Sequence, residues 1–226
     1  MQLTLKKPNL RLRWSFFIVG LILLALGISM TMQVKDFGIG PWDVLHYGLF
    51  IQLGLSVGTW SIIAGLTIVI ITSIVLKRLP QIGTLLNMVL VGLFIDLFNF
   101  ILAEPEWLPA KIILFILGTL VTAAGIGIYV APNIGAGPRD SLMLVLTDAL
   151  QWKVSTVRNA IEVTVGVLGW LLGGPIGIGT VFIALFLGTF VGKTLPISKN
   201  LLDYFIKKGE SYENFNKRTL RINHHD

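Results

Sequence analysis

The chain carries Gly-Ile-Gly-Pro-Trp-Asp at residues 38–43 and Gly-Ala-Gly-Pro-Arg-Asp at residues 135–140, an offset of 97 positions. Flanking residues recur at nearly the same offset, namely Gly27-Ile28 with Gly125-Ile126, Val57 and Thr59 with Val154 and Thr156, Gly83-Thr84 with Gly179-Thr180, and Gly92 with Gly188. This internal similarity indicates a duplicated unit, in which each copy places a Gly-Pro-Asp turn before a short apolar segment.

The composition predicts an integral membrane protein. Hydrophobic residues make up 54% of the 226 positions and charged residues 13%, whereas soluble domains average about 25% charge. The net charge is +6, but the basic residues cluster at the chain ends and in loops, without the interleaved aromatic residues of a nucleic-acid surface. We therefore expect a lipid bilayer as the environment and no nucleic acid as a partner. The chain has no cysteine, which excludes disulfides, thiolate metal sites and thiol catalysis.

The apolar segments predict an all-α fold with six membrane-spanning helices. A bilayer core of about 30 Å requires roughly 20 apolar residues in a helix. The segments that meet this requirement are residues 14–33, 57–76, 83–102, 110–131, 155–173 and 177–195. Residues 41–54 and 138–151, which follow the two turns, would form helices of only about 20 Å. Each is too short to cross, so we predict an interrupted or re-entrant helix in each copy.

The distribution of basic residues predicts an orientation. Cytoplasmic loops of membrane proteins are enriched in lysine and arginine. With the N-terminus in the cytoplasm, only Lys35 and Lys111 fall outside, so both termini are predicted to be cytoplasmic. The predicted organisation is a basic cytoplasmic N-terminus at 1–13, a first membrane repeat at 14–102, an external linker at 103–109, a second membrane repeat at 110–196 and a basic cytoplasmic tail at 197–226.

Three spans per copy have a geometric consequence. The second copy must enter the membrane from the side opposite to the first, so the two three-helix repeats are predicted to be inverted relative to one another. Carriers built from inverted repeats bind substrate near the membrane midplane, where interrupted helices from both halves meet. The pattern therefore favours a transporter architecture.

The repeated turn has two interpretations. Gly40, Pro41 and Asp43 are residue types that begin a helix, with glycine at the N-cap, proline in the first turn and an acid near the positive end of the helix dipole. A structural helix start therefore explains them fully. Alternatively, the turns dip into the membrane and their polar groups line a cavity. Under this second interpretation, the predicted substrate-binding residues are Asp43, His46, Arg139 and Asp140.

The two turns differ chemically. His46 follows Asp43 by three positions, so the two share a helix face and could form a proton-responsive pair, although a structural histidine is the alternative. In the second copy Arg139 could neutralise Asp140, whereas the first copy has Trp42 at the position of Arg139.

Charged residues inside the predicted spans are candidates for ion coupling, because ionisable groups at membrane depth usually face a protein interior or a watery path. They are Asp96, Glu162 and Lys193. The repeat offset places Asp96 opposite Gly192, next to Lys193, so we hypothesise that the acid and the base pair across the two halves. Glu162 follows Arg158 by four positions, which is also the spacing of a structural salt bridge.

The sequence shows no Ser-His-Asp arrangement, metal-ligand cluster, phosphate-binding loop or dinucleotide fingerprint. We therefore expect neither enzymatic activity nor a bound metal or cofactor.

The repeated Gly-x-Gly-Pro-x-Asp turns, Gly-Leu-Ser-Val-Gly-Thr at residues 54–59 and Gly-Ile-Gly-Thr at residues 177–180 resemble the YczE/YyaS/YitT group of bacterial multi-pass membrane proteins, and the YczE branch in particular. The resemblance covers roughly residues 14–195. It implies a location in the bacterial cytoplasmic membrane and assigns no catalytic or ligand-binding residues.

Two functions from different classes agree with these patterns. The first is a secondary transporter or permease for an unidentified small solute, which would bind between the two short helices. The second is a non-transporting membrane scaffold that assists another complex, with the basic tail as the docking surface for a protein partner. A membrane-embedded enzyme ranks third.

Overall fold

The structure is a computed structural model and describes residues 9–135 and 137–222, with side chains described up to residue 208. The predicted N-terminal segment 1–13 and tail 197–226 therefore lie partly outside the described residues. Within the described ranges the fold is entirely helical. The helices are α1 (Leu10–Met32), α2 (Pro41–Leu53), α3 (Val57–Leu76), α4 (Ile82–Ile101), α5 (Leu108–Val130), α6 (Pro138–Leu150), α7 (Val154–Leu171) and α8 (Ile178–Ile222), with a short 3₁₀ turn at Lys35–Phe37 between α1 and α2.

Five of the helices in the described ranges are long and apolar enough to cross a membrane, namely α1, α3, α4, α5 and α8. This multi-pass character agrees with the sequence prediction. The remaining predicted span, at residues 155–173, is present as α7, but this helix has only 18 residues and does not reach the same apolarity. Its polar residues, among them Arg158 and Glu162, lower its mean hydropathy.

The order of helix lengths repeats along the chain. A helix of 23 residues, α1 or α5, is followed by one of 13 residues, α2 or α6, and then by two longer helices. The short helices begin and end within one residue of the predicted ranges 41–54 and 138–151. The final helix differs from the prediction, because α8 continues past Pro196 and beyond residue 195, where its span was expected to end.

Helices α1 and α5 pack together at the centre through glycines. A β-carbon placed on Gly27 would collide with the backbone nitrogen of Thr122, and one placed on Gly118 would lie 3.0 Å from the carbonyl oxygen of Gly27. Neither helix could carry larger residues at these positions without moving away from the other. The repeated glycines therefore set the close approach of the two central helices, as small residues do in other membrane helix pairs.

The two halves exchange their short helices. Helix α2 packs on α7 and helix α6 packs on α3, so each short helix contacts the third helix of the other half. The turns follow the same rule. Gly38, which has a positive φ of 89°, packs against Gly177 and Thr180 at the start of α8, and Gly135 packs against the backbone of Gly83 and Thr84 at the start of α4. The turn of each half therefore packs on the repeated Gly-Thr pair of the other half, which is Gly179-Thr180 or Gly83-Thr84.

The part of α8 beyond residue 195 packs against other helices of the protein. Leu202 and Ile206 are buried with Ala131, against Leu12 and Phe16 of α1. The Asn9 side-chain amide also donates to the carbonyl oxygen of Ile206 at 3.3 Å. The first part of the predicted tail is thus attached to the membrane domain up to residue 206.

Candidate functional site

A cavity of about 380 Å³ lies between the helices of both halves. All eight helices contribute to its wall. Most of the wall is apolar, but its charged and titratable lining residues include Asp43, His46, Arg139, Asp140, Arg158 and Glu162. The structure therefore brings all four predicted substrate-binding residues to one cavity, together with Glu162. Such a volume and such a mixture of apolar wall and few polar groups are typical of small-molecule sites.

The helix starts place the acids at the cavity. Gly40 is the N-cap of α2 and Gly137 is the N-cap of α6; in each helix proline begins the first turn and Asp43 or Asp140 lies within that turn. The structural interpretation of the turn is therefore correct for the backbone. The same geometry also agrees with the functional interpretation, because Asp43 and Asp140 both line the cavity.

Asp43 and His46 form a buried polar pair with unmet hydrogen-bonding capacity. Their residues are 6% and 1% exposed, and Nδ1 of His46 lies 4.0 Å from Oδ1 of Asp43. Among the described residues, neither this oxygen nor either imidazole nitrogen has a hydrogen-bond partner. A buried polar atom without a partner costs about 1–3 kcal/mol. Groups held at that cost beside a cavity are suited to binding a ligand.

Arg139 reaches across from the other half. Its Nη2 lies 3.8 Å from Oδ1 of Asp43, which is close enough for ion pairing but too long for a hydrogen bond. Its guanidinium carbon lies 4.9 Å from the ring centroid of Trp42. The expectation that Arg139 would serve the acid of its own copy is thus incomplete, since it forms an ion pair with Asp43. The exchange of short helices explains the contact, because it brings the starts of α2 and α6 together.

Asp140 has different surroundings from Asp43. The Tyr129 hydroxyl, Oδ2 of Asp140 and Oδ1 of Asn87 all lie within 4 Å of the position that a β-carbon on Gly137 would occupy. A β-carbon placed on Gly137 would lie 3.2 Å from the Tyr129 hydroxyl, so the glycine N-cap leaves room for this group. Tyr129 and Asn87 were not among the residues predicted from the sequence. The available signal was that both are polar residues within otherwise apolar spans.

Arg158 and Glu162 form the predicted i, i+4 ion pair, with Nε of Arg158 3.0 Å from Oε1 of Glu162. The Glu162 side chain is 16% exposed and that of Arg158 is 45% exposed. Both residues line the cavity, so the polar face of α7 is directed at the protein interior.

Asp96 and Lys193 are not brought together. The Asp96 carboxylate accepts hydrogen bonds from the Ser56 hydroxyl and, at 2.8 Å, from the backbone N–H of Gly58. It therefore binds the first turn of α3 in its own half, whereas Lys193 is exposed. Neither residue lines the cavity. The hypothesised pairing is wrong. The repeat offset aligns Asp96 with a residue of α8, but the helix that carries Asp96 is α4, which packs on α3.

The described ranges contain no group of three or more histidine, cysteine or acidic side chains placed to hold a metal ion.

These features define a multi-pass α-helical membrane protein with a mostly apolar cavity that is lined by a few charged residues. The chain belongs to the family described as "Family of unknown function (DUF6198)", whose model matches residues 11–195. It is 48% identical over 202 residues to the "Uncharacterized membrane protein YczE" of Bacillus subtilis (strain 168), covering 89% of this chain and 94% of the relative. The resemblance predicted from the repeated turns is thereby confirmed.

Two further relatives extend the match. An "Uncharacterized protein" of Haemophilus influenzae is 33% identical, with 83% of this chain and 85% of the relative covered. The "Uncharacterized protein YyaS" of Bacillus subtilis (strain 168) is 29% identical, with 82% and 94% covered. No solved structure matches the chain.

Proposed function

We propose that this protein is a secondary transporter or permease for a small solute. The observation that carries the proposal is the cavity at the starts of α2 and α6. There Asp43 and His46, whose buried Oδ1 and imidazole nitrogens lack hydrogen-bond partners among the described residues, meet Arg139 of the other half. Interrupted or short helices that meet at the interface of two repeats form the substrate sites of known carriers. The proposal includes no catalytic step and no cofactor.

The proposed topology has six spans in two inverted repeats. Helix α7 is the sixth span, and its low hydropathy is compatible with this role because Arg158 and Glu162 face the cavity. Helices α2 and α6, with 13 residues each, are the re-entrant elements. Following the basic residues, both termini are cytoplasmic, the start of α3 is external and the start of α7 is cytoplasmic.

A labelling experiment tests this topology, because the chain has no native cysteine. The exposed residues Glu106 and Arg78 serve as single-cysteine sites on opposite sides. In intact cells, Glu106→Cys is expected to react with an impermeant maleimide, whereas Arg78→Cys is expected to react only after permeabilisation. Equal labelling of both sites in intact cells would contradict the topology.

The unequal packing of the two halves supports alternating access. Helices α3 and α4 pack together, whereas α7 and α8 have no comparable contact within the described ranges. We call the α3–α4 interface the first seam and the region between α7 and α8 the second seam. In the proposed orientation the packed first seam closes the external side of the cavity, and the unpacked second seam leaves its cytoplasmic side open. The structure then corresponds to an inward-facing state, and the outward-facing state exchanges the packing of the two seams.

Transport can be tested although the solute is unidentified. Proteoliposomes loaded with a bacterial metabolite extract are incubated with and without an imposed proton gradient, and the contents are compared by mass spectrometry with those of protein-free liposomes. We expect selective loss of one solute class with the wild-type chain, and at least about tenfold slower loss with Asp43→Asn or Arg139→Gln, because both charges contact the bound solute.

Lys199→Gln, a change at an exposed residue of α8, is the matched control and should retain the wild-type rate. The proposal fails if no solute is lost selectively, or if Asp43→Asn and Arg139→Gln both behave as the control does.

The scaffold function is the second candidate, with the C-terminal tail as its docking surface. A deletion of residues 209–226 distinguishes the two, because it removes the distal part of the tail while retaining Leu202 and Ile206, which pack on the membrane domain. A transporter should keep its rate after this deletion. A scaffold should lose its phenotype in cells although the shortened protein remains folded.

A further inference from the structure

We propose that the solute is a small zwitterion with an apolar substituent, in which the anionic and cationic groups are close together, as in an apolar α-amino acid. The inference rests on the proposed function and names the chemical class of its solute. Its basis is the one acid and the one base that the cavity leaves without hydrogen bonds.

The charged groups of the cavity can be sorted by their contacts. Glu162 is paired with Arg158 at 3.0 Å, and the Asp140 carboxylate lies next to Gly137 beside the Tyr129 hydroxyl. After these are set aside, Asp43 and Arg139 remain, and no hydrogen bond joins either side chain to another described residue. The charged groups that remain free to bind a ligand are therefore one carboxylate and one guanidinium, beside the unpartnered imidazole nitrogens of His46.

The burial of Asp43 disfavours a ligand with a single charge. An anion bound to Arg139 would draw the guanidinium away from Asp43, which is 6% exposed, and would leave that carboxylate without a counter-charge. Leaving a buried charge without compensation is unfavourable. A cation bound to Asp43 would in turn compete with Arg139. A zwitterion avoids both penalties, since its anionic group binds Arg139 and its cationic group binds Asp43.

The geometry limits the spacing of the ligand charges. Nη2 of Arg139 and Oδ1 of Asp43 are 3.8 Å apart, so the matching groups of the ligand must be near neighbours. His46 adds a neutral acceptor beside Asp43, because a neutral imidazole has one nitrogen that accepts a hydrogen bond. Guanidinium binds carboxylate in a bidentate geometry, which favours a carboxylate as the anionic group.

The rest of the cavity is suited to an apolar substituent. The wall near the polar groups carries aliphatic side chains from α1, α4, α5 and α8, including Leu24, Ile28, Val91, Ile126 and Ile183. Burial of an aliphatic substituent against such a wall contributes to affinity through the hydrophobic effect.

The test uses leucine and two derivatives that each lack one charge, applied to the purified full-length chain in detergent. Leucine methyl ester keeps only the ammonium group, and N-acetylleucine keeps only the carboxylate. Binding is measured by titration calorimetry and by the ligand-induced rise in melting temperature. We expect leucine to bind at least about tenfold more tightly than either derivative.

Two variants that each remove one charge of the site test which group recognises which end of the ligand. Asp43→Asn is expected to weaken leucine binding and to shift the preference toward N-acetylleucine, while Arg139→Gln is expected to shift it toward the methyl ester. Because a shift in preference requires a folded site, a variant that merely misfolds cannot imitate it.

The zwitterion assignment is overturned if either derivative binds wild-type protein as tightly as leucine, or if neither leucine nor any other apolar α-amino acid binds. These results would leave the proposed transport function standing, because the metabolite-release experiment does not depend on the solute class. Failure of that experiment with intact leucine binding would instead remove transport and retain the site.

Discussion

The two seams are formed by equivalent segments of the repeated sequence, yet they pack differently. One lies between α3 and α4, and the other lies between α7 and α8. In the first half, a β-carbon on Gly58 would collide with the carbonyl oxygen of Gly92, so the two helices are in direct backbone contact. In the second half, a β-carbon on Gly188 would lie 3.8 Å from Nη1 of Arg158, and one on Gly192 would have nothing within 4 Å.

The difference arises from a few unmatched residues. The repeat offset aligns Gly58 with Ser155 and Asp96 with Gly192. The first half therefore has both the small residue that permits close contact and the acid that bonds the start of α3. The second half lacks both, and Arg158 occupies the intervening space. We call the hydrogen bonds from Ser56 and Gly58 to Asp96 the α3–α4 latch. The comparison indicates that these contacts hold the closed seam together, whereas the open seam has no equivalent hydrogen bonds among the described residues.

The largest expected effect comes from placing a methyl group in the closed seam. Gly58→Ala should lower the free energy of unfolding by about 3 kcal/mol, the upper end of the range for overpacking, because the opposing atom belongs to a helix backbone. Gly192→Ala, at a position in α8 with nothing within 4 Å of a new β-carbon, should be neutral or stabilising by less than about 1 kcal/mol. Melting temperatures in detergent provide the measurement. Equal losses for both variants would show that the two seams are packed alike.

The next effect concerns the latch itself. Asp96→Ala should destabilise the protein by about 2 kcal/mol, since a charged acceptor is lost and the N–H of Gly58 is left without it. Lys193→Ala should change stability by less than about 0.5 kcal/mol, because this residue is exposed. If the lysine variant were as damaging as the aspartate variant, the pairing of Asp96 with Lys193 would be restored and the latch interpretation lost.

A smaller effect is expected at Ser56, which caps α3 by accepting from the N–H of Thr59 at 3.0 Å and also donates to Asp96. Ser56→Ala should cost about 1 kcal/mol, as for other N-cap serines. The double variant with Asp96→Ala should be less destabilised than the sum of the two, because they share one hydrogen bond. Strict additivity in chemical or thermal unfolding would argue against a single latch.

In the open half, the stability effect should be smaller still. Arg158 and Glu162 form a partly exposed pair within one helix, and such pairs contribute about 0.3–0.5 kcal/mol. Glu162→Gln should therefore leave the melting temperature almost unchanged. A loss as large as that of Asp96→Ala would mean that the α7 pair supports the fold in the way the α3–α4 latch does.

The smallest expected effect lies in an exposed ion cluster that joins the halves, where Nζ of Lys111 is 3.1 Å from Asp36 and 2.6 Å from Glu104. The hydrogen bond from Lys111 lowers the pKa of Glu104 from its ordinary 4.5. A lowered pKa stabilises the fold above that ordinary value, and the contribution is lost as pH falls through the folded-state pKa. Lys111→Met should therefore flatten the acid limb of the stability profile, and an unchanged limb would refute this.

Much of the architecture could be predicted from local patterns. The starts of α2 and α6 follow from Gly-Pro-x-Asp, and the bounds of α3 match the predicted segment 57–76, because capping residues and apolar length act over a few neighbouring positions. The grouping of Asp43, His46, Arg139 and Asp140 at one cavity could also be anticipated, since equivalent turns in related halves are placed in corresponding positions.

The contacts of individual charges could not be predicted in the same way. Assigning Asp96 to Lys193 used the repeat offset as a guide to distance, but the offset relates equivalent positions and does not report which helices touch. Tyr129 was overlooked for a similar reason, because nothing near it in sequence reveals that its hydroxyl lies beside Gly137 with Asn87 and Asp140.

Composition, periodicity and capping are properties of neighbouring residues, and they were sufficient to predict a duplicated, cysteine-free membrane chain with short helices after equivalent turns. The exchange of the short helices between halves, the position of Arg139 beside Asp43 and the difference between the two seams became visible only in the folded chain. These outcomes depend on which surfaces fit together at atomic distance, and close packing is decided by contacts between residues far apart in the chain.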